Sequence, residues 1–389
     1  MNEIDIPKGW EKVKLGDLLE EYCERNDNQK YKVVAVGKYG IRKREDIYTK
    51  ELSKDTSKNK IIMKDTLTIG MGSEQIDIGI LIEDEKYCVS PAYTTYKIKN
   101  CNSKFLEYYM EYLNPKLSDL FMIVSARQGK SVDKEGLLNY SIKIPNIKEQ
   151  DKITQILEDA DGIITNIDNE ITLIDLQTQN YLKTLLDNEN MQKVKWTKLK
   201  ELTKIITKGT TAKRFTNDGI RFIKIEALNG IHVVNEKCSY ISKEEHNGYL
   251  KRSILQENDI LFAIAGATIG KCAIVKKENL PANTNQALAI IRLNENISAE
   301  YVLKVLKSNV MKKYISLNLT AGAQPNLNLE QLGNFKIPIL DEIEVDKFLK
   351  VFNAYERKID LLSNKKYEFV KLKKSLMQKL LTGKIRVKI

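Results

Sequence analysis

The sequence is short of the residues that most protein chemistry needs. Among 389 residues it has two histidines, His232 and His246. Neither has a second histidine at ligand spacing or a Cys-x-x-Cys pair nearby, which excludes the common zinc sites. The five cysteines, Cys23, Cys88, Cys101, Cys238 and Cys272, are odd in number and scattered. That argues against a disulfide framework and predicts reduced, buried thiols in a cytoplasmic protein. No apolar run approaches the roughly 20 residues that a membrane span requires, so no membrane partner is expected. The first residues, Met1-Asn2-Glu3-Ile4-Asp5, lack a basic stretch leading into an apolar one, and no leader is expected.

The catalytic signatures are missing as well. There is no Gly-x-Ser-x-Gly elbow and no Gly-x-Gly-x-x-Gly following a strand. An Asn-Pro-Pro-aromatic run and a paired-carboxylate nuclease cluster are also absent. Gly266-Ala267-Thr268-Ile269-Gly270-Lys271 looks like a phosphate loop but has three residues between its glycines instead of four. Cys272 also follows the lysine where Ser or Thr is needed. A glycine turn between strands is the simplest reading of this segment, with a DNA-facing turn carrying Lys271 as the functional one. The expectation is a chain without catalytic activity, metal or cofactor of its own.

What is present begins with charge and apolar content. Hydrophobic residues make up 42% of the chain, enough for more than one core at this length. The net charge is +11, a balance compatible with a nucleic-acid partner.

The strongest signal is a heptad seam. Ile153, Leu157, Ala160, Ile164, Ile167, Ile171 and Ile174 step by four and three, followed by polar Thr178 and then Tyr181 and Leu185. That spacing predicts a long helix laid against another helix. The seam recurs 195 residues later as Phe348, Phe352, Tyr355, Ile359, Leu362, Lys366, Phe369, Lys373, Leu376 and Leu380. Lys366 and Lys373 are misplaced on an apolar seam and are expected to snorkel outward.

Each long helix follows a globule, and the globules share a layout. Trp10 to Leu18 opens the first, and Trp196 to Leu202 the second. Runs such as Tyr31 to Val36, Asp65 to Met71 and Thr94 to Ile98 read as strands. Ser103 and Ser298 read as caps of short helices, the first running through Leu113. Ser141 to Pro145 and Asn334 to Pro338 close the globules as strands. The predicted order is a globule over 1–150, a central helix over 151–187, a linker over 188–194, a second globule over 195–340 and a terminal helix over 341–389. Gly383 is its predicted stop. The fold class is α/β of the α+β kind, internally duplicated, with two long antiparallel helices and pseudo-twofold symmetry.

This order, together with Trp10-x-x-x-x-Leu15-Gly16-Asp17-Leu18, Asn258-Asp259-Ile260-Leu261, Asn285-Gln286, Gln324-Pro325-Asn326-Leu327 and the paired Ile144-Pro145 and Ile337-Pro338, resembles the specificity subunit of type I restriction–modification systems. The resemblance covers the whole chain. The first globule departs from it, with Ser90-Pro91-Ala92-Tyr93 in place of the Asn-Gln pair and Gly129-Lys130-Ser131-Val132 near the place of the Gln-Pro-Asn-Leu turn. The resemblance implies two target-recognition domains, each reading one half of a bipartite site in double-stranded DNA. It implies two methyltransferase subunits as partners, which would carry S-adenosylmethionine, and two restriction subunits in a full complex.

The residues themselves offer candidate DNA contacts in glycine-bearing basic loops, where hydroxyls and lysines suit phosphates and Arg, Asn and Gln suit base edges. In the first globule these are Arg42, Lys43, Arg44, Arg127, Gln128 and Lys130, with Tyr93 and Thr94 as polar additions. In the second they are Lys208, Thr210, Thr211, Lys213, Arg214 and Lys271, with Asn283, Asn285 and Gln286. The alternative reading is a coiled-coil adaptor that binds proteins only, which the basic loops do not explain.

Overall fold

The computed structural model describes residues 6–37, 40–44, 47, 55–72, 74–125, 129–187, 195–318 and 326–388. The predicted linker at 188–194 lies outside them. The chain divides into two compact units. One holds Met1–Asp168 with Ser363–Ile389, and the other Asn169–Leu362. Each long helix therefore contributes a segment to both units.

The first unit opens with the strand Trp10–Lys14, which runs antiparallel to Ser141–Pro145 and sets Trp10 opposite Pro145. The Trp and Ile-Pro signatures are thus the two sides of one clasp, which brings the start of the globule to the start of the central helix. A four-stranded antiparallel sheet follows, in the order Leu19–Glu21, Thr94–Ile98, Thr66–Gly70, Asp77–Leu81. The helix Ser103–Phe121 packs on it, burying Phe105, Leu106 and Leu117.

That helix corrects the sequence reading in two ways. Asn102, not Ser103, is its cap, accepting from the Phe105 amide at 2.8 Å. It also runs eight residues beyond Leu113, through Pro115, to Phe121. Proline costs an interior helix about 3 kcal/mol. Here tertiary bonds hold the helix across it. Asn114 donates to the Ile76 carbonyl at 3.0 Å, and Ser118 accepts from the Ile76 amide at 2.9 Å.

The second unit repeats the plan. Trp196–Lys198 pairs with Lys336–Pro338, and Trp196 faces Pro338. Its antiparallel sheet has the matching order Thr203–Lys208, Leu288–Leu293, Ile260–Ala263, Cys272–Ile274. Ser298 caps the helix Ala299–Leu306, as its sequence suggests. Divergence lies in the additions. The first unit carries the hairpins Val34–Gly37/Gly40–Lys43 and Met122–Ser125/Gly129–Val132. The second carries a three-stranded sheet in which Ile220–Ile223 runs parallel to Ala282–Thr284, a contact that the first unit has only as a parallel bridge between Val33 and Cys88. The class is α+β, with antiparallel pairing dominant.

One turn shows how the repeat is written in backbone conformation. Asp65 and Asn258 both have positive φ, 62° and 68°. In each case the next residue, Thr66 or Asp259, is fully buried and its side chain accepts an amide three residues back. Asn and Asp tolerate this left-handed conformation better than other non-glycine residues.

The long helices span Ile147–Asp187 and Glu342–Leu380. The central one starts four residues before the predicted 151, because Asn146 accepts from the Glu149 amide at 3.1 Å and supplies the cap. Asp341 caps the terminal one through the Glu344 amide at 2.8 Å. Gly383, at φ 70°, lies just past the end of the terminal helix and has no room for a Cβ, which would come within 2.5 Å of Pro7.

Both units pair the helices antiparallel. In the first, Asp161 meets Lys373 at 2.7 Å and Asp168 meets Lys366 at 2.6 Å. In the second, Glu170 meets Lys358 at 2.7 Å, and Tyr181 lies 6.4 Å from Phe348 and 6.0 Å from Phe352. The seam residues join the globule cores. Ile153, Leu157 and Leu380 belong to the first core, and Phe348 and Phe352 to the second. Lys366 and Lys373 do not snorkel outward as expected. Each reaches across to a carboxylate of the central helix, which neutralises it at the seam.

The thiols are unpaired. Burial pushes Cys101 and Cys272 up to about 12, as expected for inert sulfur, but Cys23 is exposed, against expectation.

Candidate nucleic-acid interface

In the second unit a basic loop is held in place by a glycine that has no room for a side chain. The strand Thr203–Lys208 delivers the chain to Gly209, whose amide donates to the Leu288 carbonyl at 3.1 Å. Thr210 then donates to the Thr284 carbonyl at 3.0 Å. A Cβ at Gly209 would stand 2.2 Å from the carbonyl oxygens of both Thr284 and Asn285. The loop is pressed backbone to backbone onto the 284–288 turn.

That contact gathers separate stretches of sequence. The Thr211 hydroxyl donates to the Gln286 side chain, and Arg252 Nε donates to Thr210 Oγ1 at 2.7 Å. The Lys213 amide donates to the Glu245 carboxylate. Lys213 Nζ lies 4.3 Å from the Tyr249 ring centroid, and Lys224 Nζ 4.1 Å from that of Phe215. Lys208, Thr211, Lys213, Arg214, Phe215, Tyr249, Arg252 and Gln286 are all exposed. Thr210 is half-buried. Cations, hydroxyls, an amide and two aromatic rings on one surface can take phosphates and base edges together.

Gly209→Ala is expected to destabilise the protein by about 1–3 kcal/mol, the usual cost of overpacking. It should weaken DNA binding further by lifting the loop. Thermal melting and anisotropy titration with duplex DNA measure the two effects. A variant with wild-type melting and wild-type affinity would show that the loop does not depend on this contact.

Several candidates belong to the scaffold instead. Asn283 is fully buried. It donates to the Leu250 carbonyl at 2.9 Å and to Ser253 Oγ at 3.2 Å, and its oxygen faces His246 Nδ1. It cannot reach DNA, because these partners satisfy its amide in the interior. Thr94 is likewise buried within its strand. Asn285 is half-buried and accepts from the Ala287 amide at 3.2 Å, so it shapes the turn that presents Gln286.

Gly266–Thr268 is a single helical turn inside a hairpin, with Gly266 and Gly270 at φ 77° and 92°. The glycines make a turn, not a phosphate loop. Lys271 donates to the Ile225 carbonyl at 3.1 Å and lines a groove of about 690 Å³ with Lys307, Lys312, Asp175 and Gln179. One of the three donors of its ammonium is thus engaged by backbone, and the side chain is half-buried.

In the first unit, Arg42 and Lys43 are exposed on the second strand of the Val34–Gly37/Gly40–Lys43 hairpin. Gly40 makes its turn at φ 81°, and Arg44 behind it is half-buried. The hairpin lies close over Gly79, where a Cβ would meet Ile41 at 2.7 Å. Lys130 is exposed on the separate hairpin Met122–Ser125/Gly129–Val132. Arg127 and Gln128 lie outside the described residues, as do Gln324 and Pro325.

The half-buried Tyr93 lays its ring against Gly70, where a Cβ would stand 2.5 Å from the ring. Lys60 Nζ holds its carbonyl at 2.6 Å. Burial raises the neighbouring Asp77 carboxyl to about 6. The two units therefore present different surfaces on the same frame.

Sequence reasoning missed Phe215, Lys224, Tyr249 and Arg252. Phe215 carried a readable signal, since it directly follows Arg214 in the basic loop. The other three come from segments 9 to 37 residues away from Phe215, brought in only by the fold.

Comparison with known proteins agrees with this duplicated frame. The family described as type I restriction modification DNA specificity domain matches residues 7–173 and again 191–371. The MjaVIII specificity subunit of a type I restriction enzyme from Methanocaldococcus jannaschii is 27% identical, covering 100% of this chain and 96% of that protein. A chain from a solved type I R-M system superposes with a TM-score of 0.61 at 16% identity, covering 98% of this chain and 100% of that one. The S subunit from M. genitalium gives 0.52 at 16% identity, covering 98% and 97%. With both repeats matched in order, the chain belongs to the type I restriction modification DNA specificity domain family.

Proposed function

We propose that this chain is the DNA-recognition subunit of a type I restriction–modification complex, and that each unit reads one half of a bipartite site. The observation that carries the reading is one frame used twice with two different surfaces. The clasp, the sheet order and the helix pairing repeat, whereas the loops that present cations and aromatics do not. One frame with two surfaces suits one task performed on two different half-sites. The protein-only adaptor reading leaves the basic and aromatic surface around Gly209 without a purpose.

The chain supplies specificity and not chemistry. Two methyltransferase subunits would dock on it and carry S-adenosylmethionine, and two restriction subunits would complete the assembly. The methyltransferases would extrude the target adenine, since a base must leave the stack to be modified. Such a complex acts on chromosomal DNA in the cytoplasm. The two long helices would set the distance between half-sites.

The test is methylome sequencing of a host that expresses this chain with its neighbouring methyltransferase. The expected result is a bipartite motif with adenine methylated in each half and a fixed gap. No new methylation from an assembled complex would reject the reading.

A further inference from the structure

Phe215 stands out on the surface of the second unit. It is 50% exposed, yet it is not a loose side chain. Its ring meets buried Phe222 edge-on, with centroids 5.5 Å apart at 70°. Lys224 Nζ sits 4.1 Å from its centroid. An exposed aromatic fixed from two directions has lost its freedom before any partner arrives, which lowers the cost of contact. Around it, Lys213 and Arg214 precede it in the loop pinned by Gly209, and exposed Lys208 and Gln286 share that loop and its turn.

We propose that Phe215 is a specificity-determining residue of the second unit, contacting the 5-methyl group of a thymine in its half-site. This rests on the DNA-recognition reading above. A phenyl ring has no hydrogen-bond donor or acceptor, so it cannot read the polar pattern of a base edge. Two apolar modes remain: contact with a thymine methyl in the major groove, or insertion between base steps as a wedge. A wedge needs both faces free to take the place of stacked bases. Here Lys224 lies over the ring and Phe222 packs against it at a steep angle, so the ring is not open on both faces and its exposed rim is left for contact. The rim suits a methyl group, and the ammonium of Lys224 adds positive charge beside the DNA.

The experiment uses the complex of this chain with its methyltransferase subunits and duplexes carrying the site found by methylome sequencing. Each thymine of the second half-site is replaced in turn by deoxyuridine, which lacks only the methyl group. At one position the wild-type complex should bind about fourfold more weakly, the factor that one buried methyl carries.

The Phe215→Ala complex should bind weakly with thymine and deoxyuridine alike at that position. Phe215→Leu, which keeps apolar contact, should preserve part of the discrimination. Two results would overturn the proposal. They are a wild-type complex indifferent to every replacement, and an alanine variant that discriminates as the wild type does. A wedge would appear as altered DNA bending in the alanine variant with thymine discrimination intact, and would also overturn it. Failure of the parent reading is seen separately, as absence of site-specific methylation by the wild-type complex.

Discussion

Removing one heptad from each long helix, residues 164–170 and 359–365, is expected to abolish methylation of the native bipartite site and to move activity to a shorter spacer. The seam survives the cut. Ala160 is then followed after four positions by Ile171, and Tyr355 by Lys366, so the four-three alternation continues. The ion pairs lost, Asp168–Lys366 and Glu170–Lys358, are partly exposed and contribute little to stability. The variant should therefore fold. Each helix shortens by about 10 Å at 1.5 Å per residue, which corresponds to roughly three base pairs of duplex. Those base pairs also turn the helix by about a third of a rotation, so residual activity should be low. Methylome sequencing reads the gap directly. An unchanged spacer in an active variant would sink the idea that the helices act as a ruler.

Arg292→Ala is expected to cost about 3–5 kcal/mol, the usual penalty for leaving a buried charge without its partner. Asp259 is fully buried, and Arg292 holds it with two bonds, Nε to Oδ1 at 2.8 Å and Nη2 to Oδ2 at 2.7 Å. The same guanidinium donates to the Ile254 carbonyl at 3.2 Å, and Asp259 also accepts the Gln256 amide at 2.8 Å. Deleting the arginine strands a carboxylate in the core of the second sheet. Replacing both residues together by apolar ones of similar size should recover much of the loss, since a buried pair is often no better than well-packed hydrocarbon. Chemical denaturation of the single and double variants measures this. A single variant within about 1 kcal/mol of wild type would show that water or another group reaches Asp259. Asp259, Ile260 and Leu261 of the Asn258-Asp259-Ile260-Leu261 signature are all fully buried, which places them in the scaffold.

The frame was legible in the sequence because its information is local or periodic. The seam from Ile153 onward needs only a repeat of four and three, and Ile153, Leu157, Phe348, Phe352 and Leu380 are all buried. Trp10 with Pro145 and Trp196 with Pro338 could be marked as repeated edges, although nothing local says that they face each other across a strand pair. Where local rules misled, a tertiary partner outweighed them. Pro115 signals a helix end, but Asn114 and Ser118 are bonded to Ile76 and the helix continues. Lys366 and Lys373 look wrong on an apolar seam until Asp168 and Asp161 stand opposite them.

The surface was less legible, for a related reason. A polar residue in a loop has the same sequence appearance whether its partner is water, DNA or the protein interior. Asn283 and Gln286 stand three residues apart, yet the first is buried against His246, 37 residues away, and the second is exposed beside Thr211, 75 residues away. Lys208 and Lys271 both follow or accompany glycine, but only Lys271 meets a backbone carbonyl among the bonds described.

The sequence by itself determined the duplication, the order of globule and helix, the helical seam and the lack of known catalytic signatures. These depend on period, spacing and residue type. The tertiary structure alone decided which loop residues face outward, which carboxylates meet the seam lysines, and that Phe215 is fixed by Lys224 and Phe222. Each of those outcomes is set by contacts between segments brought together by the sheets, and such contacts leave no periodic trace along the chain.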